Sequence, residues 1–469
     1  MSLSCFDPRF GERMLSVDEA LAVLGGSLAK LAATRPTQRV PLAQAVGHVL
    51  AEPVISPFDV PAQTNAAMDG IALAHASLAA GALDEGDRCQ LRVIGSSLAG
   101  HPWTGRALAP GEALRITTGA AMPAGADSVV MQEQLDYFTP DASPDSMLDA
   151  ESQAGDAETA EQVVIDGASS VRAGQNVRQA GEDIARGSDV ISAGQWLSPA
   201  AIGVLASLGL AELTVHRPLR VAIFSTGDEV TAPGEPLPPG GIYDANRFSL
   251  TAALHAEGVE VLDLGILRDQ REALSIALRD AAARADLVIT SGGVSVGEAD
   301  HVRSALEACG QLALWRIAMR PGRPLAFGAL AAEEGRQVPF FGLPGNPVAT
   351  MVTYLQFVLP ALRMLGGLGP LSPAPADHPG TLACWQSPRL QMVAGETLRS
   401  RPERVDYHRG RVTLDDQGRQ VVTTTGRQGS GILTSMLAAQ CLIEIPAGCA
   451  SLQAGDPIMV QWLGMRGLS

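Results

Sequence analysis

Leu219-Arg-Val-Ala-Ile-Phe-Ser-Thr-Gly-Asp-Glu229 decides the fold. From Val221 to Phe224 every position is apolar, the pattern of a strand buried on both faces and not of a half-solvated one. On its C-terminal side the periodicity alternates. It predicts a helix over Asn246–Glu257, a strand over Val259–Leu267, a helix over Arg271–Arg284 and a strand over Asp286–Thr290. A glycine loop, a helix near Glu298–Cys309, strands Leu312–Ile317, Pro324–Leu330 and Val338–Leu343, and a helix from Asn346 to about Leu365 follow. Strands alternating with helices imply a parallel sheet with right-handed crossovers, covered on both faces in three layers.

Outward from this unit the texture changes. Ser16-Val-Asp-Glu19 reads as a capping box opening a helix to about Ala33. Val40–Ile55 suits strands and turns, Pro57–Val190 looks β-rich, and Ser198–Leu208 is helical with Pro199 at the first position. The Pro/Gly stretch Gly366–Thr381 reads as a linker, and the short apolar runs beyond it suggest a small β-barrel or sandwich.

The 469 residues suit three or four modules, and a 46% hydrophobic content excludes a disordered chain. A net charge of −16 argues against non-specific nucleic-acid binding, which needs a basic face, but permits an anion in a local basic pocket. Between Ile116 and Val171 there is no Lys or Arg, so the acidic stretch at about 136–166 reads as a solvated insertion. The six cysteines show no C-x-x-C pair and no zinc spacing, which suits reduced thiols. No leader pattern and no run of 18 apolar residues occurs, so a cytoplasmic protein without membrane association is expected.

Ligands of open parallel sheets bind beyond the carboxyl ends of the strands. Those ends carry Ser225-Thr-Gly-Asp-Glu229, Arg268-Asp269, Ser291-Gly-Gly-Val-Ser-Val-Gly-Glu-Ala-Asp300 and Gly342-Leu-Pro-Gly-Asn-Pro347. A single acidic residue there is an ordinary helix N-cap; acidic residues at three strand ends suggest a site. Gly292, Gly293 and Gly297, with Ser295, let backbone N–H groups approach an anion. The loop is neither G-x-G-x-x-G nor a Walker A sequence. Strand alternation in Trp315-Arg-Ile-Ala-Met-Arg-Pro-Gly-Arg-Pro324 places Arg316 and Arg320 on one side and turns Arg323 towards the pocket. Guanidinium groups suit tetrahedral oxyanions. A salt-bridged surface strand would show the same residues, and Lys30 is the chain's only lysine. Carboxylates facing arginines fit a Mg²⁺-bridged phosphate ester.

In order along the chain stand Asn65-Ala-Ala-Met-Asp-Gly70, Arg115-Ile-Thr-Thr-Gly119, Val129-Val-Met-Gln-Glu133 and Asn176-Val-Arg-Gln-Ala-Gly-Glu-Asp183. Ser225-Thr-Gly-Asp-Glu-Val230, Tyr243-Asp-Ala-Asn-Arg247, the Ser291–Asp300 loop, Pro321-Gly-Arg-Pro324 and Gly342–Pro347 complete the series. Together they resemble the MoeA family of molybdopterin molybdenumtransferases, relatives of the gephyrin C-terminal domain. The resemblance implies a multi-domain α/β chain with a central parallel-sheet, MogA/MoaB-like domain. It adds N-terminal helical and β modules and a C-terminal β-barrel-like domain. The implied division is 14–56 with 180–217, 57–179, 218–366, a linker at 367–380, and 381–465.

The resemblance also implies insertion of molybdate into adenylylated molybdopterin, with Mg²⁺ as cofactor and release of AMP. Asp69, Glu229, Asp269 and Asp300 match the essential acidic positions, with Asp269 and Asp300 on Mg²⁺ or on the attacking water. Thr118 matches a position near the site, and Pro344, Asn346 and Pro347 belong to the substrate loop. Arg320 and Arg323 stand where lysines are usual. Arg404, in Arg404-Val-Asp-Tyr-His-Arg409, and Ser430, in Gln428-Gly-Ser430, match the C-terminal share of an oxyanion site. A homodimer sharing its site between subunits, and contact with other enzymes of the same pathway, are implied as well. Two alternatives remain open: a molybdopterin adenylyltransferase and a gephyrin-like scaffold.

Overall fold

A computed structural model describes residues 13–81, 86–138, 161–268, 270–292, 301–375 and 380–463. The chain divides into two compact units. One comprises Met1–Glu52, Ala193–Gly203 and Ala211–Ser469, the other Pro53–Ser192 and Val204–Leu210.

The first unit is built on a seven-stranded sheet. Its strands are β1 (Met14–Leu15), β2 (Arg220–Thr226), β3 (Glu260–Leu267), β4 (Leu287–Ser291), β5 (Gly310–Ile317), β6 (Pro324–Ala331) and β7 (Gln337–Leu343). The order across the sheet is β1-β5-β6-β7-β4-β2-β3. The helices are α1 (Val17–Ala33), α2 (Ala245–Ala256), α3 (Arg271–Arg284), α4 (His301–Cys309) and α5 (Pro347–Gly366). The apolar run Val221–Phe224 behaves as its composition requires. Val221 and Ile223 enter one core with Leu21, Leu24, Trp315 and Phe357, while Ala222 and Phe224 enter another with Leu274, Leu278 and Phe340. Successive side chains thus leave the strand on opposite faces, and both faces are covered.

One strand departs from the expected parallel arrangement. β6 pairs antiparallel with both β5 and β7, while β2 pairs parallel with β3 and β4, and β4 with β7. Only residues 318–323 separate β5 from β6. A parallel return needs a crossover of about a dozen residues or more, so this link permits only an antiparallel neighbour.

The same link corrects the expectation for the arginines. Met319–Arg320 leaves the sheet and pairs in parallel with Val405–Asp406. Arg316 stays in β5, so it and Arg320 share no strand face. Beyond the linker, Arg389–Ala394, Val405–Leu414, Gln420–Thr424, Cys441–Ile445 and Pro457–Trp462 form a closed five-strand barrel. Val405–Leu414 closes it by pairing with both Gln420–Thr424 and Cys441–Ile445. Closure leaves no edge open to another chain. α5 is long and apolar, but most of it is buried inside the protein, as a core helix should be.

The second unit holds a six-stranded sheet. Its order is Ser128–Met131, Gly70–Leu73, Glu112–Ile116, Arg88–Ser97, Gln162–Asp166 and Leu135–Phe138. Ile71, Leu73, Leu91, Val130, Val163 and Ile165 form its core. The ends of the expected acidic insertion are strands of this sheet: Gln162 faces Phe138, and Ile165 faces Leu135. Residues 139–160 lie outside the described residues.

Candidate functional site

At the carboxyl ends of the seven-stranded sheet, a buried network sets the geometry. Ser225 Oγ donates to Asp244 Oδ1 at 2.9 Å, and Asp244 caps α2 by accepting from the Arg247 N–H at 3.1 Å. Arg247 Nε donates to Asp244 Oδ2 at 2.8 Å, and its Nη1 pairs with Asp263. Asp244 is 3% exposed and Arg247 is its ionic partner, so removing Arg247 strands a buried charge at a cost of about 3–5 kcal/mol. In the first turn of α2, Asn246 Nδ2 donates to Ser291 Oγ at 2.8 Å and to the Gly345 carbonyl at 2.7 Å.

Around this network stand several expected residues. Glu229 is exposed beyond β2, its carboxylate lying over Gly227. Gly292 has φ +88°, and a Cβ there would meet the Thr226 carbonyl at 2.8 Å, so only glycine fits. Thr350 Oγ1 donates to the carbonyls of Pro344 at 2.6 Å and Asn346 at 3.0 Å. Pro347 starts α5, and the next N–H, of Val348, donates to the Ser430 carbonyl at 3.0 Å. Asp269, Gly293, Ser295, Gly297 and Asp300 lie outside the described residues.

In the second unit, Asp69 and Thr118 meet, although their motifs are far apart in sequence. The Thr118 N–H and hydroxyl both donate to Asp69 Oδ1, at 2.6 and 2.9 Å. These two bonds, the backbone one foremost, hold the Asp69 carboxyl below its ordinary pKa. The neighbouring Gly70 carries no side chain because a Cβ would run into the Val130 carbonyl.

A third cluster lies where Met319–Arg320 meets the barrel. Arg320, Pro321, Arg399, Tyr407, His408, Arg409 and Gln428 line a cleft of about 160 Å³. Arg409 is 1% exposed and donates only to neutral acceptors: Ser435 Oγ at 3.1 Å, and the Tyr407 and Gly429 carbonyls at 3.3 Å each. Burial, and then repulsion from Arg320, lower its pKa to about 10, which still leaves it charged at neutral pH. Gln428 fixes the strand beside it, accepting from the Arg409 N–H at 2.7 Å. Asp406 is buried below the cleft. Burial pushes its carboxyl up, but His408, Ser400 and Arg320 together outweigh that and leave its pKa below the usual value.

Of the expected basic set, this cleft contains Arg320 alone. Arg316 and Arg323 are exposed elsewhere, Arg404 lies in the turn after Arg401, and Ser430 contributes its carbonyl to α5. Arg399, His408, Arg409 and Gln428 were not anticipated. Three of the four stand inside quoted motifs, yet which residue of a motif faces a cleft depends on how the barrel closes.

Three family models cover most of the chain. They are the MoeA N-terminal region (domain I and II) over 15–209, a probable molybdopterin binding domain over 222–364, and the MoeA C-terminal region (domain IV) over 391–463. The chain belongs to the MoeA family. A molybdopterin molybdenumtransferase of Haemophilus influenzae is 35% identical, covering 96% of this chain and 98% of that protein. One from Nostoc is 32% identical over 95% of this chain and 93% of its own length. The crystal structure of a molybdopterin biosynthesis MoeA protein from Pyrococcus horikoshii superposes with a TM-score of 0.69 at 26% identity. It covers 97% of this chain and 100% of that one.

Proposed function

We propose that this chain is a transferase that inserts molybdenum from molybdate into adenylylated molybdopterin and releases AMP. Its near-full-length similarity to proteins named molybdopterin molybdenumtransferase is the observation that carries the reading. The residues described above give that reaction a physical basis. The dithiolene sulfurs bond to molybdenum while an oxo group takes up protons and leaves as water. Water attacks the phosphoanhydride phosphorus, the P–O bond to AMP breaks, and a carboxylate takes the proton. Glu229, exposed beyond β2, is the carboxylate we assign to orient that water or accept its proton. Arg320, Arg399 and Arg409 supply fixed positive charge and directed N–H donors for an incoming tetrahedral oxyanion. Asp69, whose carboxyl the Thr118 N–H and hydroxyl hold below its ordinary pKa, is the remaining acidic position matched to the family.

Among the described residues, no group of three or more His, Cys, Asp and Glu gathers around a metal position. The side chains described at the strand ends offer oxygen, not nitrogen or sulfur, and Thr226 Oγ1 is buried there without a hydrogen-bond partner. That donor chemistry fits Mg²⁺, which keeps several waters and needs few protein ligands; Asp269 and Asp300 are the residues we assign to hold it. When bound, the ion neutralises charge on the phosphates.

The direct test is molybdate-dependent AMP release from adenylylated molybdopterin. The unsubstituted protein releases AMP, and Asp269→Asn and Asp300→Asn do so at least about 10²-fold more slowly. Equal rates in both variants would remove these residues from the site. Formation of adenylylated pterin from ATP would point to an adenylyltransferase instead. We further propose that the protein works as a homodimer in the cytoplasm; a fully active monomer in analytical ultracentrifugation overturns the dimer.

A further inference from the structure

We infer that Asn246 is a positioning residue: its side-chain amide ties the end of β4 to the Gly342–Pro347 loop and so sets the spacing of two substrate-facing segments. The inference rests on the proposed function only for what those segments bind.

Both N–H groups of the amide are used, one on Ser291 Oγ at 2.8 Å and one on the Gly345 carbonyl at 2.7 Å. In the loop, the Pro344 and Asn346 carbonyls are held by Thr350 Oγ1, leaving the Gly345 carbonyl between them to Asn246. Packing does not hold that peptide on its open side, because a Cβ at Gly345 would meet nothing within 4 Å. The Asn346 side chain makes no capping bond at the start of α5 and cannot substitute for the link. Asn246 in turn is placed rigidly. It sits in the first turn of α2, whose cap, Asp244, is locked to Ser225 and Arg247, and Arg247 to Asp263. A donor on a fixed helix thus bridges the last residue of β4 and the loop that follows β7, its hydrogen-bonded neighbour in the sheet. Among the described residues, backbone pairing between the two strands ends with the Gly292 N–H on the Leu343 carbonyl at 3.1 Å. Beyond that rung, among the described residues, the Asn246 amide is the next bond that ties the two segments.

The chemistry of the two arms makes the role separable from simple space-filling. Asn246→Asp keeps the shape but loses both donors. The Ser291 hydroxyl can donate to the new carboxylate, so that arm survives, while the carboxylate and the Gly345 carbonyl repel each other. Asn246→Ala loses both arms, and Ser291→Ala only the first.

The test compares amide hydrogen exchange across 345–350 and binding of adenylylated molybdopterin in the three variants and the unsubstituted protein, all as full-length chains. We expect exchange to quicken in Asn246→Asp and Asn246→Ala but not in Ser291→Ala. Affinity for adenylylated molybdopterin should fall about 10- to 100-fold in both Asn246 variants, about 1.4–2.7 kcal/mol. Half-saturating molybdate should stay within about twofold, since the arginine cleft is untouched. A space-filling role predicts instead that Asp is nearly silent and Ala severe; that pattern, or unchanged exchange in both Asn246 variants, overturns the inference. Failure of the unsubstituted protein to bind adenylylated molybdopterin sinks the functional reading instead, and the exchange comparison still decides the link.

Discussion

Asp69 shows how much a short side chain can set about a neighbour's charge. Its depressed pKa comes first from the Thr118 N–H and second from the hydroxyl. Thr118→Ala removes the second and keeps the first, so the Asp69 pKa rises part of the way back. A carboxylate needed in its ionised form sets the acid limb of the pH profile. The acid limb of kcat/KM for AMP release is therefore expected at higher pH in Thr118→Ala, with the rate near pH 8 little changed. A limb that does not move means Asp69 ionisation is not what limits activity. At this scale the sequence motifs named both partners of the pair. They did not single out Arg399, Arg409 or Gln428 as site residues, because facing a cleft is a property of the closed barrel and not of local spacing.

Elements were legible where a local rule fixed them. The capping box is complete: Ser16 Oγ accepts from the Glu19 N–H at 3.1 Å, and Glu19 Oε2 from the Ser16 N–H at 2.8 Å. Ser16→Ala should cost about 1 kcal/mol in chemical denaturation, and Ser16→Asp, which can still cap, much less. Equal losses for the two would mean the bond contributes nothing. The apolar run of β2 was equally readable, since it had to be buried on both faces. The direction of β6 was readable too, from the short link before it, but pattern alone suggested a uniform parallel sheet. The pairing of Met319–Arg320 with Val405–Asp406 was not readable. A two-residue strand has no periodicity, and its partner lies far along the chain.

At the scale of the whole molecule, two units with separate cores should lose structure by separate routes, and two substitutions can address them one at a time. In the unit that contains residues 53–192, Glu112 is 4% exposed and accepts from Arg106 at 2.6 Å twice and from the Ala109 N–H at 2.9 Å, with Arg92 beside it. Arg106 foremost, against the cost of burial, brings its pKa from 4.5 to about 2. A depressed carboxylate pKa contributes stability that is full above the unfolded value, near 4.5, and is lost as pH falls towards 2. Glu112→Gln should therefore destabilise at pH 7 by about 2 kcal/mol, the half-exposed arginines screening part of the shift, and by much less near pH 2. In the other unit Phe224 is fully buried, and Phe224→Ala should cost about 3–5 kcal/mol with no such pH dependence. Calorimetry at pH 7 is expected to resolve more than one transition. Glu112→Gln should lower one of them and Phe224→Ala another, and only the Glu112 effect should fade on acidification. If both substitutions lower the same single transition, the two cores unfold as one cooperative body. The acid sensitivity would then belong to the whole chain and not to the β-rich unit alone.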